Sequence, residues 1–187
     1  MFSETPPKLL VLEKEWRTIQ QEIPEFDLAK VEEYRTNKVG KYVQEDVQSM
    51  AQFLRTNQTW VWRGQEAGGQ WFGFPLMVFG QFLPACNQCP NTKKILATIP
   101  GVQRAAFTLL TPHSAIVTHK DTTPHKVANL PLHNLQSCHL HVFDLDGSRV
   151  SKQHEGGQLI VFASNQYFHY ASNDSDRVRV ILYVEFE

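Results

Sequence analysis

The closing stretch, Arg177 to Glu187, constrains the fold most. Val178, Val180, Leu182, Val184 and Phe186 fall on one face and Arg177, Arg179, Ile181 and Tyr183 on the other, a period of two that fits an extended strand. The same texture begins near Arg104. Ala105 to Leu110 is followed by a Thr111-Pro112-His113-Ser114 turn and then Ala115 to His119. Val127 to Leu132 is short and apolar, His139 to Leu145 runs into the hairpin signal Asp146-Gly147, and Gln158 to Ala163 reads as another strand. Many short strands without long helices between them indicate a β-sandwich or barrel, here of jelly-roll type.

The first half reads as mixed helix and loop. Leu10, Leu12, Trp16, Ile19 and Ile23 predict one helix over residues 9–23, closed by Pro24. A second is expected from Glu45 to Leu54, with Val47, Met50, Ala51 and Leu54 on its apolar stripe and Glu45, Asp46 and Arg55 suited to the helix dipole. A third is expected from Asn91 to Ile99, between Pro90 and Pro100-Gly101. The aromatic stretch Trp60-Val61-Trp62-Arg63-Gly64 and Gly68 to Leu76 fits either a substrate entrance or core filling. Its glycines form no phosphate loop, because no Gly-Lys-Ser/Thr follows. The expected fold class is therefore mainly β, a double-stranded β-helix (jelly-roll, cupin-like) with flanking N-terminal helices. It forms a single domain over 1–187, with residues 1–100 packing as helix and loop on a jelly-roll core of 101–187.

Composition excludes several function classes. A chain of 187 residues is long enough for one continuous core without staples. A net charge of -1, with no basic run longer than Lys93-Lys94, argues against nucleic acid as the main partner. No apolar run suffices for a membrane span, and Met1 to Pro7 lacks the features of a signal peptide. The expectation is a soluble, cytoplasmic protein. Cys86, Cys89 and Cys138 cannot all pair within one chain; Cys86-Asn87-Gln88-Cys89 is half a zinc spacing flanked by prolines, and reduced structural thiols are the expectation.

The chemistry gathers at Val117-Thr-His-Lys-Asp121. His119 and Asp121 are two residues apart, so in extended chain both point to one side and can share a small cation. His169, beyond the strand Gln158 to Ala163, is a third candidate. Two His and one carboxylate on one side of a metal is the arrangement of non-haem Fe(II) oxygenases, which leaves adjacent positions open. Arg179 on the closing strand offers a guanidinium able to hold a carboxylate through two parallel hydrogen bonds. Arg177, on the same face, competes for that role. Taken singly, His119 fits a satisfied strand histidine, and Asp121 with Thr122 and Thr123 fits a turn. Most of His113, His125, His133, His139, His141 and His154 are expected to be solvated or core residues.

These motifs carry a family resemblance. Thr108 to Ser114, His119-Lys120-Asp121, Leu130-Pro131-Leu132, Gly157 to Phe162, His169 with Asn173, and Arg179 to Leu182 resemble the aspartyl/asparaginyl β-hydroxylase family over roughly Phe74 to Phe186. The resemblance implies an Fe(II)- and 2-oxoglutarate-dependent dioxygenase on a double-stranded β-helix. It implies His119, Asp121 and His169 as iron ligands, and Arg179 on the distal carboxylate of 2-oxoglutarate. Thr108 matches a hydroxyl residue near that cosubstrate. Asp121 makes the chain similar to the bacterial-type branch. Asn129 stands at a cosubstrate-side position where the family often has His, and only Lys126 lies near the position of an expected Arg. Phe162-Ala163 and Tyr170 replace the family's Phe-Asp and Glu around the second His.

The implied reaction uses O₂ and hydroxylates an amino-acid side chain, free or in a peptide, or another small carboxylated substrate. Trp60, Trp62, Trp71 and Phe72, with Arg63 or Lys126, are candidates to line the substrate pocket. The competing classes are a non-catalytic metal- or ligand-binding jelly-roll and a cupin-like metal-dependent isomerase. A structural metal site has no need of a carboxylate anchor such as Arg179 with Thr108 beside it.

Overall fold

The computed structural model describes residues 1–33, 52–62 and 71–187. The helix expected over Glu45 to Leu54 lies largely outside the described residues, which show residues 52–56 as helical. Arg63 also lies outside them.

The strands in chain order are β1 (Phe2–Ser3), β2 (Glu32–Glu33), β3 (Val61–Trp62), β4 (Trp71–Val78), β5 (Gln81–Phe82), β6 (Val102–Leu110), β7 (Ser114–Ala115), β8 (Lys126–His133), β9 (Cys138–Phe143), β10 (Arg149–Gln153), β11 (Ile160–Phe162), β12 (His169–Asn173) and β13 (Arg179–Phe186). The helices are α1 (Leu10–Lys14), α2 (Trp16–Gln21) and α3 (Pro90–Ala97). The larger sheet runs β1-β11-β8-β13-β6-β4-β3-β2, with β5 on β4, and the smaller runs β10-β9-β12-β7. From β6 onward the chain passes back and forth between the two sheets, with antiparallel pairing throughout. This is the double-stranded β-helix of a jelly-roll.

β13 lies between β6 and β8, and its alternation separates two interiors. Val180, Leu182, Val184 and Phe186 face outward, packing with Leu9, Leu12, Ile19 and Leu96 of the helical layer. The opposite face turns toward the smaller sheet, where Val127, Ile160 and Phe162 meet Leu140, Val142 and Ala171. Both faces of the strand are thus covered, and Arg179 sits on the second.

Several elements differ from the sequence reading. The helix expected over 9–23 is a 3-10 turn Pro7–Leu9 followed by α1 and α2, broken at Glu15 with φ -101° and ψ 14°. The break lets Leu9, Leu12 and Ile19 all reach the same core. β1, β3 and β4 extend the larger sheet into the first hundred residues; Gly73 pairs with Thr108 and Phe74 with Phe107. β4 escapes a period-two reading because six consecutive residues, Phe72 to Met77, are buried and no polar residue marks an outer face. Trp60, Phe72 and Phe74 are core, with the Trp60 and Phe74 rings 5.7 Å apart. Beyond Ala115 the expected strand to His119 survives only as an isolated bridge from His119 to His169. Cys86, Cys89 and Cys138 are free and buried, and burial pushes the first two thiols up to about 11 and about 12.

Two contacts fasten the helical layer. The Glu22 carboxylate caps α3, accepting from the Asn91 and Thr92 backbone N–H groups at 2.9 and 2.6 Å and from the Thr92 hydroxyl at 2.8 Å. Burial works against the Glu22 charge, yet these donors outweigh it and hold the carboxyl below its ordinary value. Gly157, at φ +77°, lies under Trp16; a Cβ there would meet the indole at 2.5 Å.

Glu22→Gln is expected to cost about 0.5–1 kcal/mol near neutral pH. Because the folded carboxyl has the lower pKa, this contribution is fully present above the ordinary value of 4.5 and lost as pH falls through the folded one. The gap between the two thermal unfolding curves should narrow accordingly in acid. Gly157→Ala, combining a left-handed backbone with a clash on an aromatic ring, is expected to lose about 1–3 kcal/mol in a denaturant titration.

Candidate metal centre

The site is assembled by a single two-way exchange of backbone bonds. The His119 N–H donates to the His169 carbonyl at 3.0 Å and the His169 N–H returns to the His119 carbonyl at 2.9 Å. Residues so paired point their side chains to the same face, and the two imidazole centroids are 4.4 Å apart. The Asp121 N–H then donates to the Ser164 carbonyl at 3.1 Å, keeping the chain extended so that Asp121 returns to the side of His119. Oδ1 of Asp121 is 3.5 Å from Nε2 of His119, and one donor atom from each of the three residues lies within 4.8 Å of the others. His169 opens β12.

Both rings are oriented by their own backbone. His119 Nδ1 donates to the Val117 carbonyl at 2.8 Å and His169 Nδ1 to the Tyr167 carbonyl at 3.1 Å. A carbonyl can only accept, so each neutral ring carries its proton on Nδ1 and presents Nε2 as a lone pair. Burial and the neighbouring His119 lower the His169 pKa, favouring that neutral form. Burial opposes the Asp121 charge, but His119, Ser164 and His169 together hold its carboxyl below the ordinary value. Two neutral imidazoles and one carboxylate suit a borderline divalent ion such as Fe(II), and three ligands grouped in this way leave other positions free.

The other end of the sandwich carries Arg179. Arg179 pairs with Leu110, Ile181 with Thr108 and Tyr183 with Asn129, so all six point between the sheets. Thr108 and Asn129 are buried, and Asn129 Oδ1 has no hydrogen-bond partner. Asn173 joins the two sheets at this end through its side-chain N–H bonds to the Leu110 and Thr111 carbonyls at 3.0 and 2.9 Å. It lies four residues along β12 from His169, a Cα separation of about 13 Å in extended chain. Arg179 is 1% exposed. Among the described residues its guanidinium has one hydrogen bond, from Nε to His154 Nδ1 at 3.0 Å, and no carboxylate partner. Desolvation lowers its pKa to about 10, so it remains a cation at neutral pH.

Arg177 is exposed and precedes β13, which removes it as a rival. Lys126 is exposed and pairs with Phe186 on the helical side of the sheet, away from the interior. His113 pairs with Asp176 at the surface at 2.9 Å, and His141 bonds to Ser151 and Ser172 on the outer face of the smaller sheet. His154, among the histidines expected to be solvated or core, is core: it is 1% exposed and bonded to Arg179, a contact the sequence did not reveal. Ser164, whose carbonyl fixes Asp121, was equally invisible.

The sequence profile of aspartyl/asparaginyl β-hydroxylases matches residues 13–187. The chain belongs to the aspartyl/asparaginyl β-hydroxylase family. This makes it a 2-oxoglutarate-dependent hydroxylase, an oxidoreductase of a family that uses Fe(II), 2-oxoglutarate and O₂. No curated protein matches the sequence. Among solved structures, the hydroxylase resembles an oxidoreductase of the 2OG-Fe(II) oxygenase family from Burkholderia pseudomallei with a TM-score of 0.52 and 14% identity, over 77% of this chain and 79% of that one. A prolyl-4-hydroxylase from Pseudomonas putida is similar at a TM-score of 0.45 and 22% identity, over 76% and 82%. An oxalate decarboxylase from Lactobacillus farciminis is similar at 0.45 and 13%, over 67% and 30%. No helix among the described residues of the hydroxylase is long and apolar enough to cross a membrane.

A buried guanidinium without a carboxylate opposes folding until an anion arrives. Arg179→Met is therefore expected to leave the ligand-free protein at least as stable as the parent. A gain of about 1 kcal/mol would raise the Tm by about 2–4 °C in calorimetry.

Proposed function

We propose that His119, Asp121 and His169 hold Fe(II), and that Arg179, with Thr108 and Asn129, holds 2-oxoglutarate beside it. The proposed reaction is hydroxylation of an amino-acid side chain, free or in a peptide, or of another small carboxylated substrate. One observation carries the reading: a buried cation with no carboxylate partner among the described residues shares the interior of the sandwich with a carbonyl-oriented His-Asp-His cluster. A metal site serving only structure has no use for such a cation.

When bound, the iron supplies oxidation of an unactivated C–H bond by O₂, coupled to conversion of 2-oxoglutarate to succinate and CO₂. The chain's own residues prepare that chemistry. The two Nε2 lone pairs and the Asp121 carboxylate would fix the ion on one side and leave the other side open. Arg179 would orient the cosubstrate by charge-assisted bonds, reducing its freedom before reaction. Leu140, Val142, Phe162 and Ile181, all buried, exclude water from the space between the sheets. Lys120 is exposed between two of the proposed ligands, with its Nζ 5.4 Å from the Phe168 ring centroid. It would offer a positive charge at the mouth to a carboxylated substrate.

Anaerobic addition of Fe(II) and then 2-oxoglutarate is expected to produce a visible charge-transfer band. His169→Ala should abolish it, and Arg179→Met should retain metal binding while weakening 2-oxoglutarate about 100-fold, or about 2.7 kcal/mol. No band from the folded parent would reject the oxygenase site and favour a binding-only jelly-roll.

A further inference from the structure

His154 follows β10, whose register pairs Gln153 with His139. The His154 N–H donates to the Cys138 carbonyl at 2.8 Å. Strand alternation therefore turns His154 to the face of Cys138 and Leu140, between the sheets. There its Nδ1 accepts from Arg179 Nε at 3.0 Å. Arginine Nε–H has no lone pair to offer, so the bond has one possible direction and fixes the tautomer: Nδ1 is the acceptor and the proton sits on Nε2. The ring is neutral as well, since burial and the adjacent Arg179 charge both lower its pKa.

The consequence is an N–H donor with no acceptor. Among the described residues His154 Nε2 is buried and has no partner, whereas buried donors are ordinarily satisfied because the bond to water given up on folding must be replaced. This orphan belongs to a ring hydrogen-bonded to a guanidinium that itself lacks an anion. Among the described residues no carboxylate pairs with Arg179, and Asn129 Oδ1, on the same face of the larger sheet beside Ile160, is another buried atom without a partner.

We propose that His154 is a cosubstrate-binding residue, whose Nε2–H donates to the same carboxylate that Arg179 holds. This rests on the assignment of Arg179 to 2-oxoglutarate. It deepens that assignment: the distal carboxylate is read by a charged donor and a neutral one, and the pair discriminates a dicarboxylic from a monocarboxylic 2-oxo acid.

The two nitrogens can be separated chemically. Asn at 154 places an acceptor near the Nδ1 position and removes the Nε2 donor; Gln places an amide donor near Nε2. The test measures Kd by calorimetry for 2-oxoglutarate and for 2-oxopentanoate, which lacks the distal carboxylate, on Zn(II)-loaded parent, His154→Asn and His154→Gln. The parent is expected to favour 2-oxoglutarate at least 100-fold. His154→Asn should reduce that ratio about tenfold by weakening 2-oxoglutarate alone, and His154→Gln should recover part of it. An unchanged ratio in His154→Asn overturns the role of His154 and leaves Arg179 standing. A parent that binds both acids equally overturns the Arg179 assignment and the inference with it. Should the variants fail to fold, ¹⁵N-histidine NMR of the parent decides. The His154 Nε2–H resonance must move with 2-oxoglutarate and stay in place with 2-oxopentanoate; the reverse or no movement overturns the proposal.

Discussion

The positive charge of Arg179 inside the sandwich is the constraint on which the site depends. A guanidinium is costly to remove from water, and nothing negative in the described residues offsets that cost. It is carried by β13, which is hydrogen-bonded to β6 on one side and β8 on the other, so the strand cannot easily slide or fray to relieve the charge. The aliphatic residues on the opposite face of β13 anchor it in the larger core. The fold thus uses a central, buried strand to keep in place a group that the folded protein, taken alone, would prefer to lose. Such local strain against stability is characteristic of positions that serve a ligand.

The division of labour between faces follows from the same strand. Helices and aromatic residues fill one side of the larger sheet, where Phe26, Trp60, Phe72 and Phe74 pack ring against ring. The grooves beside Trp60 are lined by Gln21, Glu25 and Gln58, or by Ile23, Phe26 and Val178. They lie in this helical layer, on the far side of the sheet from His119 and His169. Neither groove contains a proposed metal ligand or Arg179.

The legible parts of the site are those set by local rules. His119 and Asp121 share a side because of an i, i+2 spacing, and Arg179 turns inward because the closing strand alternates. The fold class was readable from strand spacing and turn residues alone. What stayed hidden depended on register or on burial of both faces. β4 is apolar throughout and shows no period. His154 is the sharper case. A two-residue turn at Asp146-Gly147 would pair Leu145 with Ser148 and set His154 opposite His139, on the outer face. The observed loop instead pairs Phe143 with Arg149, a shift of one residue in register that turns His154 inward. The break at Glu15 is likewise dictated by three leucine and isoleucine side chains reaching one core, which the helical pattern over 9–23 does not reveal.

The orientation of the two proposed imidazole ligands has a further consequence. In many metal sites the far nitrogen of a histidine is steadied by a carboxylate or other side chain from elsewhere in the protein. Here each ring leans on the main-chain carbonyl two residues before it, an acceptor that every amino acid supplies. The tautomer is thereby insulated from mutation at Val117 and Tyr167 as long as the backbone path is kept. Sequence drift around the centre is then free to reshape the mouth for new substrates while the ligand set stays poised, and a graft of these short segments onto another sheet pair would carry its own ligand alignment with it.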